Sequence, residues 1–148
     1  MDATARHADA RVARVIHFFE HLGPSDVQRL RELYVDDAFF KDPFNEVHSC
    51  AAIERIFGHM FVALEEPRFT IGEVVAQGDQ CFLAWDFHFR MKRFDRSPQM
   101  IRGGTHIRFA PDGRIAMHRD YWDAAEELYQ KLPVVGALMR WLRRRANG

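Results

Sequence analysis

Asp42 stands immediately before Pro43, and His118 and Asp120 lie two residues apart in a strand-like segment. Carboxylate and imidazole carry protons readily near neutral pH, and an imidazole beside a carboxylate has its tautomer fixed and its pKa raised. On a strand, alternation puts His118, Asp120 and Trp122 on one side and Met117, Arg119 and Tyr121 on the other. His118 and Asp120 therefore form a candidate acid/base set. Each residue also has a purely structural reading. Asp-Pro is an ordinary turn-forming pair whose carboxylate caps nearby amides, and a His–Asp pair can be a satisfied hydrogen bond in a mixed wall. His17-Phe18-Phe19-Glu20-His21 formally matches the H-x-x-E-H zinc pattern. Its histidines fall on the polar side of an amphipathic helix and no third ligand is implied, so no metal is expected. The sequence has no glycine-rich phosphate loop, G-x-S-x-G elbow or C-x-x-C pair, and no cofactor is expected either.

These side chains need elements to hold them. Residues 8–22 place Val12, Val15, Ile16, Phe19 and Leu22 on one stripe, a helical period ended by Gly23-Pro24. Ser25 reads as the N-cap of a second helix carrying Val27, Leu30 and Leu33, which stops where Tyr34-Val35-Asp36-Asp37 turns the chain. Ala38-Phe39-Phe40-Lys41 is a short strand stopped by Asp42-Pro43. Ser49 caps a third helix carrying Ile53, Ile56, Phe57, Met60, Phe61 and Leu64, closed by Glu65-Glu66-Pro67. From Arg68 the period becomes two. Strands are predicted over 69–75, 81–91, 100–109 and 115–122, separated by turns at Gly78-Asp79, near 95–98 and at Pro111-Asp112-Gly113. Helices first and an antiparallel meander afterwards predict an α+β domain with the helices on one face of a curved sheet. Strand 81–91 sorts into an aromatic set, Trp85, Phe87 and Phe89, and a polar set, Asp86, His88 and Arg90. Periodicity does not decide which set faces inward; aromatics inward is the simpler assignment. Residues 124–146 read as an added helix, interrupted at Pro133.

The 148 residues suit one domain with a sizeable core, and 47% hydrophobic with 28% charged residues is a globular balance. The 13 Phe and 3 Trp ask for a large apolar interior or a cavity. Basic and acidic residues number 21 each, so no field of either sign recommends nucleic acid as a partner. Cys50 and Cys81 have no paired spacing and the start lacks an apolar secretion signal, which predicts a cytoplasmic protein with reduced thiols. No stretch reaches the ~18 apolar residues of a membrane span. The tail combines Leu132, Val134, Val135, Leu138 and Trp141 with Arg140, Arg143, Arg144 and Arg145. It suits either a weak contact with an anionic membrane surface or a helix packed on its own domain or a partner, its arginines complementing the C-terminal dipole.

The stretch Tyr34-Val35-Asp36-Asp37-Ala38-Phe39-Phe40-Lys41-Asp42-Pro43-Phe44 resembles the ketosteroid isomerases, in which an aspartate before proline, after the first strand, shuttles a proton. Val47-His48-Ser49 with Ile53 looks like that family's next turn and helix. Phe109-Ala110-Pro111-Asp112-Gly113-Arg114-Ile115 with Tyr121-Trp122 looks like its final hairpin. Over residues 10–123 the chain is similar to the nuclear transport factor 2 (NTF2)-like superfamily, in its SnoaL-like or ketosteroid-isomerase-like group. The resemblance implies an NTF2-like, cystatin-like cone, with three N-terminal helices packed on a curved antiparallel sheet around one deep, mostly apolar pocket. The domain would span residues 1–123, with a C-terminal helical extension over 124–148.

The resemblance also implies that His118, Asp120 and Trp122 turn inward to converge with Asp42, and that the exposed side of the sheet pairs with a second copy in a homodimer. In the isomerases a tyrosine on the first helix and a protonated aspartate on the third long strand donate hydrogen bonds to the enolate. Here those positions fall on Phe18 and Thr105. A phenyl ring donates nothing and a threonine hydroxyl donates weakly. Loss of one such donor costs ~2.7–4 kcal/mol of transition-state stabilisation, which argues against efficient steroid isomerisation. What the resemblance implies instead is a cofactor-independent isomerase, cyclase or dehydratase acting by proton transfer on a small apolar carbonyl compound. Asp42 would be the base, His118 and Asp120 its partner set, and Phe18, Phe44, Thr105 and Trp122 would contact the substrate. Because one fold hosts many functions, a non-catalytic carrier of a lipid or metabolite, or a dimerisation module with a filled cone, stands beside that reading.

Overall fold

The computed structural model describes residues 7–93, 96–122, 141, 144 and 145. Helix α1 (Ala10–Glu20) starts at Asp9, whose carboxylate accepts from Arg11 N at 2.9 Å, and it buries Val12, Ala13, Val15, Ile16 and Phe19. The apolar stripe thus becomes the packed face, and an acidic cap satisfies one of the free N–H groups at the start. The second helical segment differs from the expectation. Pro24–Arg29 forms a 3-10 turn, and only Leu30–Leu33 (α2) is α-helical. Its entry is fixed by Asp26, whose carboxylate accepts from Gly23 N at 2.9 Å, and not by Ser25.

Strand β1 (Tyr34–Lys41) begins at once, so residues 34–37 are strand and not turn. Tyr34 is fully buried and pairs with Ile115; between Tyr34 and Phe39 the register shifts, and Asp36 and Asp37 are carried exposed on that irregularity. A bulge lets a strand send extra polar residues to solvent while the flanking side chains stay inside. In sequence that looks like a turn. Past Asp42 and Pro43, the short β2 (Glu46–Val47) folds back antiparallel on β1. Ser49 caps α3 (Cys50–Ala63), its Oγ accepting from Ala52 N at 3.1 Å. The helix passes directly into β3 (Leu64–Gln77). Glu65, Glu66 and Pro67 therefore lie inside a strand, as an irregularity with Glu66 in the left-handed region at φ 51°.

Gly78, at φ 61°, makes the turn into β4 (Gln80–Met91), and β5 (Gln99–Phe109) and β6 (Ile115–Tyr121) complete the meander. The six-stranded sheet has the order β2-β1-β6-β5-β4-β3. Every neighbouring pair is antiparallel except β1 and β6, which are parallel. The sheet is mixed and not wholly antiparallel, a correction with a topological cause. β1 and β6 are joined through α3 and the intervening strands and not by a hairpin, and a long connection permits parallel pairing. Helix α1 lies on β3, and α3 lies against β1 and β3. Between helices and sheet sit Tyr34, Phe40, Ile53, Leu83, Ile107 and Ile115, all buried.

Two consecutive glycines on β5 give that sheet room for large rings. A Cβ at Gly103 would come within 2.5 Å of Trp85 Cη2, and one at Gly104 would collide with the Phe82 ring. Trp85 occupies the inner face above Gly103, and Phe82 the outer face above Gly104. The expected C-terminal helix lies outside the described residues apart from Trp141, Arg144 and Arg145. The Trp141 ring meets His59 of α3 edge-on, with centroids 5.7 Å apart. No helix among the described residues is long and apolar enough to cross a membrane.

Candidate active site

Asp42 sits where β1 ends. Its Oδ1 accepts from Phe44 N at 2.8 Å, Asn45 N at 2.6 Å and Asn45 Nδ2 at 3.1 Å, while Oδ2 accepts, among the described residues, from Asn45 Nδ2 alone, at 3.0 Å. The turn-capping role anticipated for an Asp-Pro pair is therefore filled, and Oδ2 keeps acceptor capacity to spare. Burial pushes the Asp42 carboxyl above the ordinary carboxylate value; the Asn45 amide and backbone N–H groups pull the other way, and the nearby Asp120 charge adds to the rise.

Across the sheet two arms of hydrogen bonds converge on Asp120. Trp85 Nε1 donates to Thr105 Oγ1 at 2.7 Å, and Thr105 Oγ1 donates to Asp120 Oδ1 at 2.6 Å. The same Asp120 oxygen is 2.7 Å from His118 Nε2, and His118 Nδ1 is 2.7 Å from the Tyr34 hydroxyl. An indole N–H can only donate, which makes Thr105 spend its own proton on Asp120. A carboxylate accepts, so the His118 Nε2 carries a hydrogen, and in that tautomer Nδ1 accepts the Tyr34 proton. Burial drives the Tyr34 phenol well above its usual pKa, with Asp120 contributing, so it remains a donor. No buried side-chain polar atom among the described residues lacks a partner. His118 is 3% exposed, its ring 4.6 Å from Phe40 and edge-on to Phe19 at 6.0 Å.

Asp42, Phe44, Thr105, His118, Asp120 and Trp122 line one cavity of about 130 Å3, and its remaining wall is largely aromatic and aliphatic. Trp85 and Phe87 face it and Phe89 is buried, which settles the inward face of β4 in favour of the aromatic set. Phe18 is the exception. Helix α1 turns Phe19 to the cavity, and Phe18 is half-buried beside it. One residue along a helix rotates a side chain by about 100°, enough to leave the wall. Thr105 lines the cavity, yet its only O–H is committed to Asp120. Tyr34 and Asn45 belong to the site as well, although the sequence does not single them out. A tyrosine in an apolar setting needs a partner for its hydroxyl, and an asparagine three residues after an aspartate is a turn signal; both hints were present. The two histidines of the zinc-like pattern stack at 4.2 Å, and Glu20 accepts from Ile71 N at 3.0 Å. Among the described residues no group of three or more metal-ligating side chains is found.

A bent sheet, helices against its inner face and an apolar cavity with two carboxylates together define the NTF2-like, ketosteroid-isomerase-like architecture. The chain belongs to the SnoaL-like domain family, whose sequence pattern matches residues 15–118. No curated protein matches it. Among solved structures it is similar to a Catenulispora acidiphila protein with a ketosteroid isomerase-like fold, in complex with trimethylamine (TM-score 0.68, 17% identity, 82% of this chain and 91% of that one). It is also similar to a protein assigned as a SnoaL-like polyketide cyclase from Shewanella putrefaciens (0.68, 16%, 83% and 98%). A third neighbour is an LEH-like epoxide hydrolase from M. tuberculosis (0.66, 16%, 86% and 91%).

Proposed function

We propose that the protein is a cofactor-independent enzyme, an isomerase, cyclase or dehydratase, that moves a proton on a small apolar carbonyl compound. The observation that carries this reading is the pair of carboxylates, Asp42 and Asp120, on the wall of one apolar cavity. Asp42 is the base. Its raised pKa makes it a stronger base once ionised and lets it hold the proton it has taken, and Oδ2 is the oxygen with capacity to receive it. Asp120 is the second proton site, aimed by Thr105 and His118. Both nitrogens of His118 are engaged, so it acts as a positioning residue, with Tyr34 behind it. Phe44 and Trp122 contact the substrate; the Trp122 indole N–H has no partner among the described residues and can donate to a carbonyl oxygen. The lack of a strong paired donor, with Thr105 committed to Asp120, supports the reading against efficient steroid isomerisation. Neighbours assigned as a polyketide cyclase and an epoxide hydrolase support the class of fold but not a particular reaction.

The test is deuterium uptake from heavy water into compact cyclic ketones. Wild type is expected to label the carbon beside the carbonyl, and Asp42→Asn to lose ~10²–10⁴-fold in rate while melting within a few degrees of wild type. Unchanged labelling in the variant would remove Asp42 as the base. The rival is a carrier, favoured by the complete mutual satisfaction of the cavity's buried polar groups. An apolar ligand released intact in native mass spectrometry, with no labelling of any ketone, would establish it. We also propose that the protein is a cytoplasmic homodimer that pairs through the outer face of its sheet. There, Val75 and Phe82 stand opposite each other on β3 and β4, 69% and 42% exposed. Cys50 and Cys81 are buried free thiols, and burial pushes Cys81 up to about 11, in keeping with thiols that stay reduced.

A further inference from the structure

Beside the cavity lies a second, more open cleft of about 710 Å3. Cavity and cleft share Asp42, Asp120 and Trp122 as walls, so the cleft adjoins the polar end of the cavity. What the cleft adds is cationic: Lys41 at the end of β1, Arg119 on β6 and Arg102 on β5. Lys41 and Arg119 are register partners across the parallel β1–β6 pair. Like charges set directly opposite on a ladder destabilise it. Neither residue forms an ion pair among the described residues, and the Arg119 guanidinium lies over the Tyr121 ring at 4.8 Å. Arg102 has Asp86 opposite it on β4. The chain as a whole has no net charge, so this concentration of cations is local. The two carboxylates of the shared wall do not quench it by contact. Asp42 is held by Asn45 and the adjacent backbone, Asp120 by Thr105 and His118.

We propose that the cleft binds a carboxylate group of the substrate whose apolar part fills the cavity, so that the substrate class is a small apolar acid. This rests on the cavity being the substrate site. The dimensions agree, since a dry cavity of ~150 Å3 lined by apolar side chains takes up benzene, and the inner volume here is about 130 Å3. A single ring fits inside, and a short chain carries the acid group past Asp42 and Trp122 into the cleft. Lysine offers a compact point charge and arginine a planar fork suited to carboxylate oxygens. The unpaired repulsion between Lys41 and Arg119 is relieved when an anion sits between them.

The experiment compares 4-phenylbutanoate with 4-phenylbutanol by isothermal titration calorimetry at low salt. Wild type is expected to bind the acid about tenfold more tightly than the alcohol, with the preference shrinking as salt rises because the cations are at the surface. Lys41→Gln with Arg119→Gln is expected to abolish the preference and leave the alcohol's affinity within about twofold. Equal affinities in wild type, as when a second copy covers the cleft, or a preference that survives the double substitution, would overturn the inference while the cavity reading stands. Binding of neither probe would remove both. Should the double variant fail to fold, Arg119→Gln alone decides: an undiminished preference for the acid overturns the proposal.

Discussion

Asp42 caps its own turn while Oδ2, which accepts from Asn45 Nδ2, keeps acceptor capacity, so the turn role and the proposed role as base need not compete. Its pKa direction gives a thermodynamic handle independent of turnover. The folded value lies above the unfolded one, so the folded state binds this proton more tightly. The stability that proton lends is present below about pH 4 and is lost as pH rises through the folded value. An asparagine in its place cannot ionise; the stability difference between Asp42→Asn and wild type is therefore expected to move in the variant's favour between about pH 4 and 7, as read by urea unfolding at each pH. A difference that is flat with pH would mean that burial does not burden the carboxylate. Tyr34→Phe leaves His118 Nδ1 without its donor in a closed interior, which costs ~1–3 kcal/mol of stability. It should lower kcat more than it changes KM, by less than Asp42→Asn does, since Thr105 still holds Asp120. The sequence made Asp42, His118 and Asp120 visible because their types are rare in apolar surroundings. It hid Tyr34, and with it the second arm of hydrogen bonds onto Asp120, because the residue's partner is 84 positions away.

At the scale of elements, the glycine pair of β5 offers an asymmetric test. Gly103→Ala presses on Trp85, whose indole is tied to Thr105, so the clash is expected to cost ~1–3 kcal/mol. Gly104→Ala presses on Phe82, which is 42% exposed and can swing away, so its cost should be the smaller. Equal costs by urea unfolding would mean that Trp85 is not fixed. Helices α1 and α3 and the hairpins from β3 to β6 were legible because period and caps agree there. The boundaries around residues 24–37 were not. Pro24 with Asp26 favours a tight turn over an extended helix, and the two exposed aspartates of β1 imitate a turn while the strand's pairing comes from distant β6. The parallel β1–β6 contact has no local signal at all, since any meander can return to either edge.

For the whole molecule, a homodimer predicts a light-scattering mass of twice the 17.3 kDa chain. Phe82→Glu with Val75→Glu is expected to shift it to the single-chain value without loss of circular dichroism. A single-chain mass for the wild type at tens of micromolar would end that proposal. The parallel pairing of β1 and β6 has a further consequence, in the order of biosynthesis. Asp42 leaves the ribosome well before the strand bearing His118 and Asp120. Until that strand emerges, a nascent chain would present its aromatic interior without a closing wall, and the hydrogen bonds onto Asp120 could not help it fold. Contacts of such long sequence separation close slowly. Premature termination before Ile115 would therefore yield an adhesive, pocketless fragment and not a weakened form of the domain.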